Sequence, residues 1–122
     1  MIQGVVVRGD GIGKALGYPT ANLDIDTKKL SYSAGVYAAS AIFDSLSFDA
    51  ALIINKEKNK IEVHLFGYEH EDFYGSVLSV DPIQKVSEIE QWESEEALMA
   101  KINNDIAMIQ QFLYDKRHNE EN

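Results

Sequence analysis

Between Gly9 and Asn22 the chain reads Gly-Asp-Gly-Ile-Gly-Lys-Ala-Leu-Gly-Tyr-Pro-Thr-Ala-Asn, and its capacity for chemistry is concentrated there. Gly9, Gly11, Gly13 and Gly17 leave the backbone free to turn its N–H groups toward an anion, and Lys14 sets a cation among them. Such a stretch suits phosphate. Two common phosphate loops do not fit it. The mononucleotide loop requires Gly-x-x-x-x-Gly-Lys-Ser/Thr, but with Gly13-Lys14 as its end Arg8 stands at the first glycine and Ala15 at the Ser/Thr. The dinucleotide fingerprint Gly-x-Gly-x-x-Gly fails because Lys14 occupies its third glycine position, and no helical pattern follows before Pro19.

The end of the stretch is more specific. Pro19 fixes its own φ and drives Tyr18 toward an extended conformation, so Thr20 and Asn22 follow a rigid elbow. If residues 20–22 are extended, the Thr20 hydroxyl and the Asn22 amide oxygen share one face, roughly 7 Å apart along the chain. Two neutral, hard oxygens beside a glycine loop suit Mg²⁺ carrying a nucleotide phosphate, because Mg²⁺ keeps most of its water and takes few protein ligands. The same residues also read as a glycine-rich turn ending in an Asn turn residue. Further on, Glu62 and His64 alternate onto one face of a strand pattern. Glu62 is a candidate base or an exposed strand carboxylate. A zinc pair with His64 would have to recruit His70 or His118, both in polar stretches, so local hydrogen bonding is the expectation for His64.

The run from Gly9 to Asn22, with Pro19-Thr20-Ala21-Asn22 as its most specific part, resembles the signature of the riboflavin kinases (flavokinases). In bacteria their module also forms the C-terminal half of bifunctional FAD synthetases. The similarity continues through Glu62-Val63-His64-Leu65, through Glu71-Asp72-Phe73-Tyr74-Gly75 and into the terminal helix. The resemblance implies transfer of the ATP γ-phosphate to the terminal ribityl hydroxyl of riboflavin, giving FMN and ADP. It implies Glu62 as catalytic base, Mg²⁺ with ATP at Thr20 and Asn22, and nucleotide contacts around Gly9, Gly11, Gly13, Lys14, Leu65, Gly67 and Tyr74. Leu65 and Gly67 would act through backbone groups, whereas Tyr74 also reads as a core aromatic at a strand end.

Riboflavin or FMN would lie between the last barrel segment and the helix, near Ser87 and Trp92. Trp92 suits an isoalloxazine ring and equally suits a hydrophobic staple at the helix start. Three departures from the family pattern bear on flavin affinity and efficiency. Ile12 and Ser87 stand where the family often has Arg, and the segment between Phe48 and Glu62 is short.

A length of 122 residues, 45% of them hydrophobic, gives one domain over residues 1–118 with a frayed tail at 119–122, and leaves no room for a second catalytic domain. An N-terminal adenylyltransferase module in a longer natural chain is compatible with the resemblance. There is no cysteine, which excludes disulfides, thiolate metal sites and a Cys nucleophile. The formal charge of −9 argues against a nucleic-acid partner, since neutralising phosphates needs clustered Lys and Arg. No stretch approaches the 20 or so apolar residues of a membrane span, and Met1-Ile2-Gln3 lacks a basic leader, so the expected setting is cytoplasmic. The expected partners are small molecules.

The elements that must position these residues follow from periodicity. Strand patterns cover residues 2–7, 35–43, 48–54, 60–68 and 75–86, the last broken at Asp81-Pro82, where Pro82 marks an edge or bulge. Leu23 to Asp26 alternates as a short strand with outward acids, and Thr27 to Ser33 is turn-like. Ser94 is a good N-cap, and Leu98, Ile102, Ile106, Ile109 and Leu113 recur at helical spacing. Short strands followed by one late helix predict a small antiparallel barrel with a helix laid on it. The resemblance implies the same fold: a six-stranded Greek-key barrel with a C-terminal helix. Two other functions fit such a barrel: a flavin- or nucleotide-binding domain without turnover, or an interaction domain using its acidic surface.

Overall fold

In the computed structural model, which describes residues 1–7, 20–67, 74–89 and 94–120, six antiparallel strands close into a barrel and one helix lies across its outside. The strands are β1 (Ile2–Val7), β2 (Thr20–Leu23), β3 (Gly35–Phe43), β4 (Leu46–Asn55), β5 (Lys60–Leu65) and β6 (Val77–Ser87), and the helix α1 is Glu95–Glu120. Around the barrel the order is β1-β2-β5-β4-β3-β6, so β3 to β5 form a meander and β6 returns beside β3, which is a Greek key.

Alternation along the strands divides the core in two. Side chains at Ala21, Leu23, Tyr37, Ala39, Ala41, Ala50, Leu52, Ile54, Ile61, Val63 and Leu65 point inward, joined by Ile2, Val6, Leu78 and Val80. The outward residues Val36, Ala38 and Ala51 are buried as well, beneath Ile102, Ile106, Ile109 and Leu113 of α1. This explains why β3 and β4 read as nearly continuous apolar runs: one face fills the barrel and the other carries the helix. Alanine at 38 and 51 lets the helix come close. Ser94 caps α1 through a hydrogen bond from the Ala97 N–H to its Oγ at 3.1 Å, and Arg117 near the far end pairs with Asp49 of β4.

Several boundaries differ from the sequence expectation. The β3–β4 connection is a two-residue turn at Asp44-Ser45 rather than the four-residue loop 44–47, with φ of 52° and 67°. Neither residue is glycine, so the usual sign of such a turn is missing from the sequence. The alternation at Leu23 to Asp26 is not strand throughout. β2 stops at Leu23, and the Asp26 side chain caps a short 3-10 helix at Thr27–Lys29 by accepting from the Lys28 N–H. β6 runs unbroken through Pro82, and the irregularity appears as a register shift against β3, where Ala39 faces Pro82 but Ala38 faces Gln84.

Asn59, at φ 52°, closes the β4–β5 turn. Its Oδ1 accepts from the Thr27 N–H at 2.8 Å and from the buried Thr27 hydroxyl at 2.9 Å. Both ends of the glycine-rich stretch are thereby set on one framework: β1 delivers it beside β2, and the segment after β2 is tied to the base of β5.

Candidate active site

The strand register decides which polar side chains meet. Across β2 and β5, Asn22 faces Glu62 and Thr20 faces His64. Directly opposed residues on one face of an antiparallel pair have Cβ atoms about 4.5–5.5 Å apart. Because Ile61, Val63 and Leu65 fill the barrel, Asn22, Glu62 and His64 stand on its outer face. The same row continues across the sheet as Asn22, Glu62, Ile53, Val36 and Ser87. Val7, the last residue of β1 before the glycine-rich stretch, faces Asn22 and so ends beside that row.

Glu62 is half-buried and its Oε1 is shielded from solvent. That combination suits a carboxylate used for proton transfer, since excluding water strengthens its electrostatics. His64 is 1% exposed, and neither ring nitrogen has a hydrogen-bond partner among the described residues, so the expected local hydrogen bond is not found there. Burial pushes its pKa down to about 4, which keeps the imidazole neutral at pH 7.

The buried neutral imidazole has a consequence for stability. An unfolded histidine takes up its proton near pH 6.5, whereas the folded one resists until about pH 4, so the unfolded state binds more protons across that window. Stability contributed by neutral His64 is full above pH 6.5 and falls as the pH drops, by about 3 kcal/mol at pH 4. Urea unfolding of wild type and His64→Leu across pH 4 to 7 measures it. The difference between the two curves should carry this slope, and parallel curves would show that His64 is not responsible.

The other expected site residues fall as follows. Leu65 is wholly buried inside the barrel, so only its backbone is available to a ligand. Gly67 follows β5 in a turn with φ +81°, a conformation that glycine adopts without strain. Tyr74 is 40% exposed, and the next residue, Gly75, donates its N–H to the Val6 carbonyl at 2.8 Å. That bond places Tyr74 near the end of β1. The Ser87 hydroxyl is engaged by the helix, donating to Asp105 Oδ2 and accepting from Lys101 Nζ, each at 3.0 Å. Gly9, Gly11, Gly13, Lys14 and Trp92 lie outside the described residues, as does the side chain of Thr20.

Lys101 and Asp105 were not singled out from the sequence. Asp105 occupies the i+3 slot after Ile102 in the apolar stripe, and a charged residue at a core-facing helix position was the available signal.

The donor set fits Mg²⁺ better than zinc. Among the described residues no group of three or more His, Cys, Asp or Glu could hold a metal ion by itself. Asn22 opposite Glu62 offers a neutral oxygen beside a carboxylate, the donor chemistry Mg²⁺ accepts when phosphates and water complete its shell.

An Asn–Glu pair on the outer face of a closed six-stranded barrel offers a carboxylate and a neutral oxygen, the kind of groups that phosphoryl transfer asks of a protein. The chain belongs to the riboflavin kinase family: the Flavokinase family model matches residues 1–113. It is 31% identical over 117 residues to the RNA-binding riboflavin kinase RibR of Bacillus subtilis, covering 89% of this chain and 49% of that protein. It is 31% identical over 115 residues to human riboflavin kinase, covering 85% of this chain and 74% of the relative. The fold is shared with the crystal structure of riboflavin kinase from Trypanosoma brucei, with a TM-score of 0.69 at 23% identity over 97% of this chain and 79% of that one. The chain spans about half the length of the Bacillus relative. No helix among the described residues is long and apolar enough to cross a membrane.

Proposed function

We propose that this chain is an ATP-dependent riboflavin kinase that converts riboflavin and ATP into FMN and ADP. The observation that carries the reading is the register that sets Asn22 opposite Glu62 on the outer face, beside the point where the glycine-rich stretch leaves β1. Glu62 takes the proton of the terminal ribityl hydroxyl as that oxygen attacks the γ-phosphorus. The bond from the γ-phosphorus to the β,γ-bridging oxygen breaks, and ADP departs. Catalysis of this kind is mostly positioning and charge stabilisation, with one base, which matches a site holding one carboxylate and neutral oxygens.

Thr20 and Asn22 would hold Mg²⁺ with the nucleotide, and bound Mg²⁺ would neutralise charge on the phosphates. Backbone N–H groups around Gly9, Gly11 and Gly13, with Lys14, would receive the phosphate oxygens. The adenosine would border the Leu65 and Gly67 backbone and Tyr74, and the flavin would lie toward Ser87 and Trp92. The reading gives the chain small-molecule partners and a cytoplasmic setting, and is compatible with an N-terminal adenylyltransferase module in a longer natural chain.

Incubation with riboflavin, ATP and Mg²⁺, followed by chromatographic separation of flavins, tests this directly. FMN should accumulate with Mg²⁺ and not with EDTA. No FMN from a folded, Mg²⁺-supplied protein would overturn the reading in favour of a barrel that only binds.

A further inference from the structure

We propose that Lys101 is a positioning residue for this site: held by Asp105, Ser87 and Glu88, it sets the height of α1 above the row that carries Glu62. The inference rests on the kinase reading for its substrate and on the fold for its geometry. Three acceptors gather around the Lys101 ammonium: Asp105 Oδ2 at 2.7 Å, the Glu88 carbonyl at 2.9 Å and Ser87 Oγ at 3.0 Å. An ammonium has three protons, enough for one bond to each of these acceptors. Asp105 is 3% exposed, and Ser87 donates to the same Oδ2 that receives Lys101. The cluster ties one turn of the helix to the last residues of β6.

Its place gives it a role beyond cohesion. Ser87 faces Val36, Val36 faces Ile53 and Ile53 faces Glu62, so the cluster stands about 14 Å along the sheet from the proposed base, in the same row. Val36, at the centre of that row, is buried against α1, and Ile53 is only partly covered. The helix thus packs over Val36 and Ile53, the neighbours of Glu62 in that row, and the flavin of the proposed reaction would lie beside it.

An apolar stripe of Ile102, Ile106, Ile109 and Leu113 packs in a repeating pattern, which a slip by one turn of about 5.4 Å would largely reproduce. A buried ion pair adds little net stability over apolar packing, but it distinguishes one register from the next. Lys101 and Asp105 choose the register that sets the width of the flavin space, whereas the nucleotide side, built on β1, β2 and β5, does not depend on them.

The test is steady-state kinetics on Lys101→Met/Asp105→Asn, which removes both charges together and avoids leaving a buried carboxylate alone. The KM for riboflavin should rise about tenfold while the KM for ATP stays within about twofold. Lys101→Arg keeps a cation on Asp105 and should hold the riboflavin KM near wild type. An unchanged riboflavin KM, or an equal rise in both KM values, would overturn the proposal, because loss of cohesion alone does not separate the substrates. Amide hydrogen exchange over residues 101–106 provides a reading independent of turnover. If the wild type made no FMN, the kinase reading would fall, yet faster exchange in the neutral double variant would still support the clamp, and unchanged exchange would refute it.

Discussion

Glu62→Gln should lower kcat by about 100-fold to 10,000-fold while leaving flavin and nucleotide binding near wild type. The amide has the size and hydrogen-bonding reach of the carboxylate but cannot take the hydroxyl proton, so ground-state contacts survive and proton transfer does not. The position makes the substitution clean. Glu62 sits mid-strand with Ile61 and Val63 anchored in the barrel, and its backbone register against Asn22 and Ile53 does not depend on the side chain. FMN formation under saturating substrates, beside a thermal-shift titration with ADP, separates the two effects. Retained turnover would remove Glu62 from the mechanism, and lost ADP binding would recast it as a binding residue.

Asn22→Ala should act on the other reactant, cutting kcat/KM for MgATP by about 100-fold and raising the Mg²⁺ concentration needed for half-maximal rate. It removes one neutral oxygen opposite Glu62 without disturbing β2, whose hold on the barrel comes from Ala21 and Leu23. Riboflavin affinity measured by fluorescence quenching should be unchanged. Asn22→Asp provides the contrasting case, because it places a second carboxylate directly against Glu62, where like charges repel across the strand pair. An unaltered Mg²⁺ dependence in Asn22→Ala would place the metal elsewhere. Partial recovery at high Mg²⁺ would support direct coordination.

These two substitutions were legible from local signals. Pro19 followed by Thr20 and Asn22 marks an elbow leading into an extended segment, and Glu62 with His64 marks one face of a strand. The sequence alone did not say that the two segments are hydrogen-bonded neighbours. β2 and β5 are separated by the whole β3–β4 hairpin, and only closure of the barrel in the order β1-β2-β5-β4-β3-β6 brings Asn22 against Glu62. The environment of His64 was equally hidden. A histidine alternating outward from a strand reads as accessible, yet this one is 1% exposed. The Lys101–Asp105–Ser87 cluster was missed because helical periodicity was counted over apolar residues only.

By itself the sequence determined most of the strands, the helix and which residues could do chemistry, but not the extent of β2 or the β3–β4 turn. Alternation, glycine and proline placement and a capped apolar stripe are local properties of the chain, written in neighbouring residues. Tertiary structure alone decided strand order, register and the face the helix covers. Those depend on which distant segments bury each other's apolar surface, and a shift of one residue would turn every side chain of a strand to the opposite face.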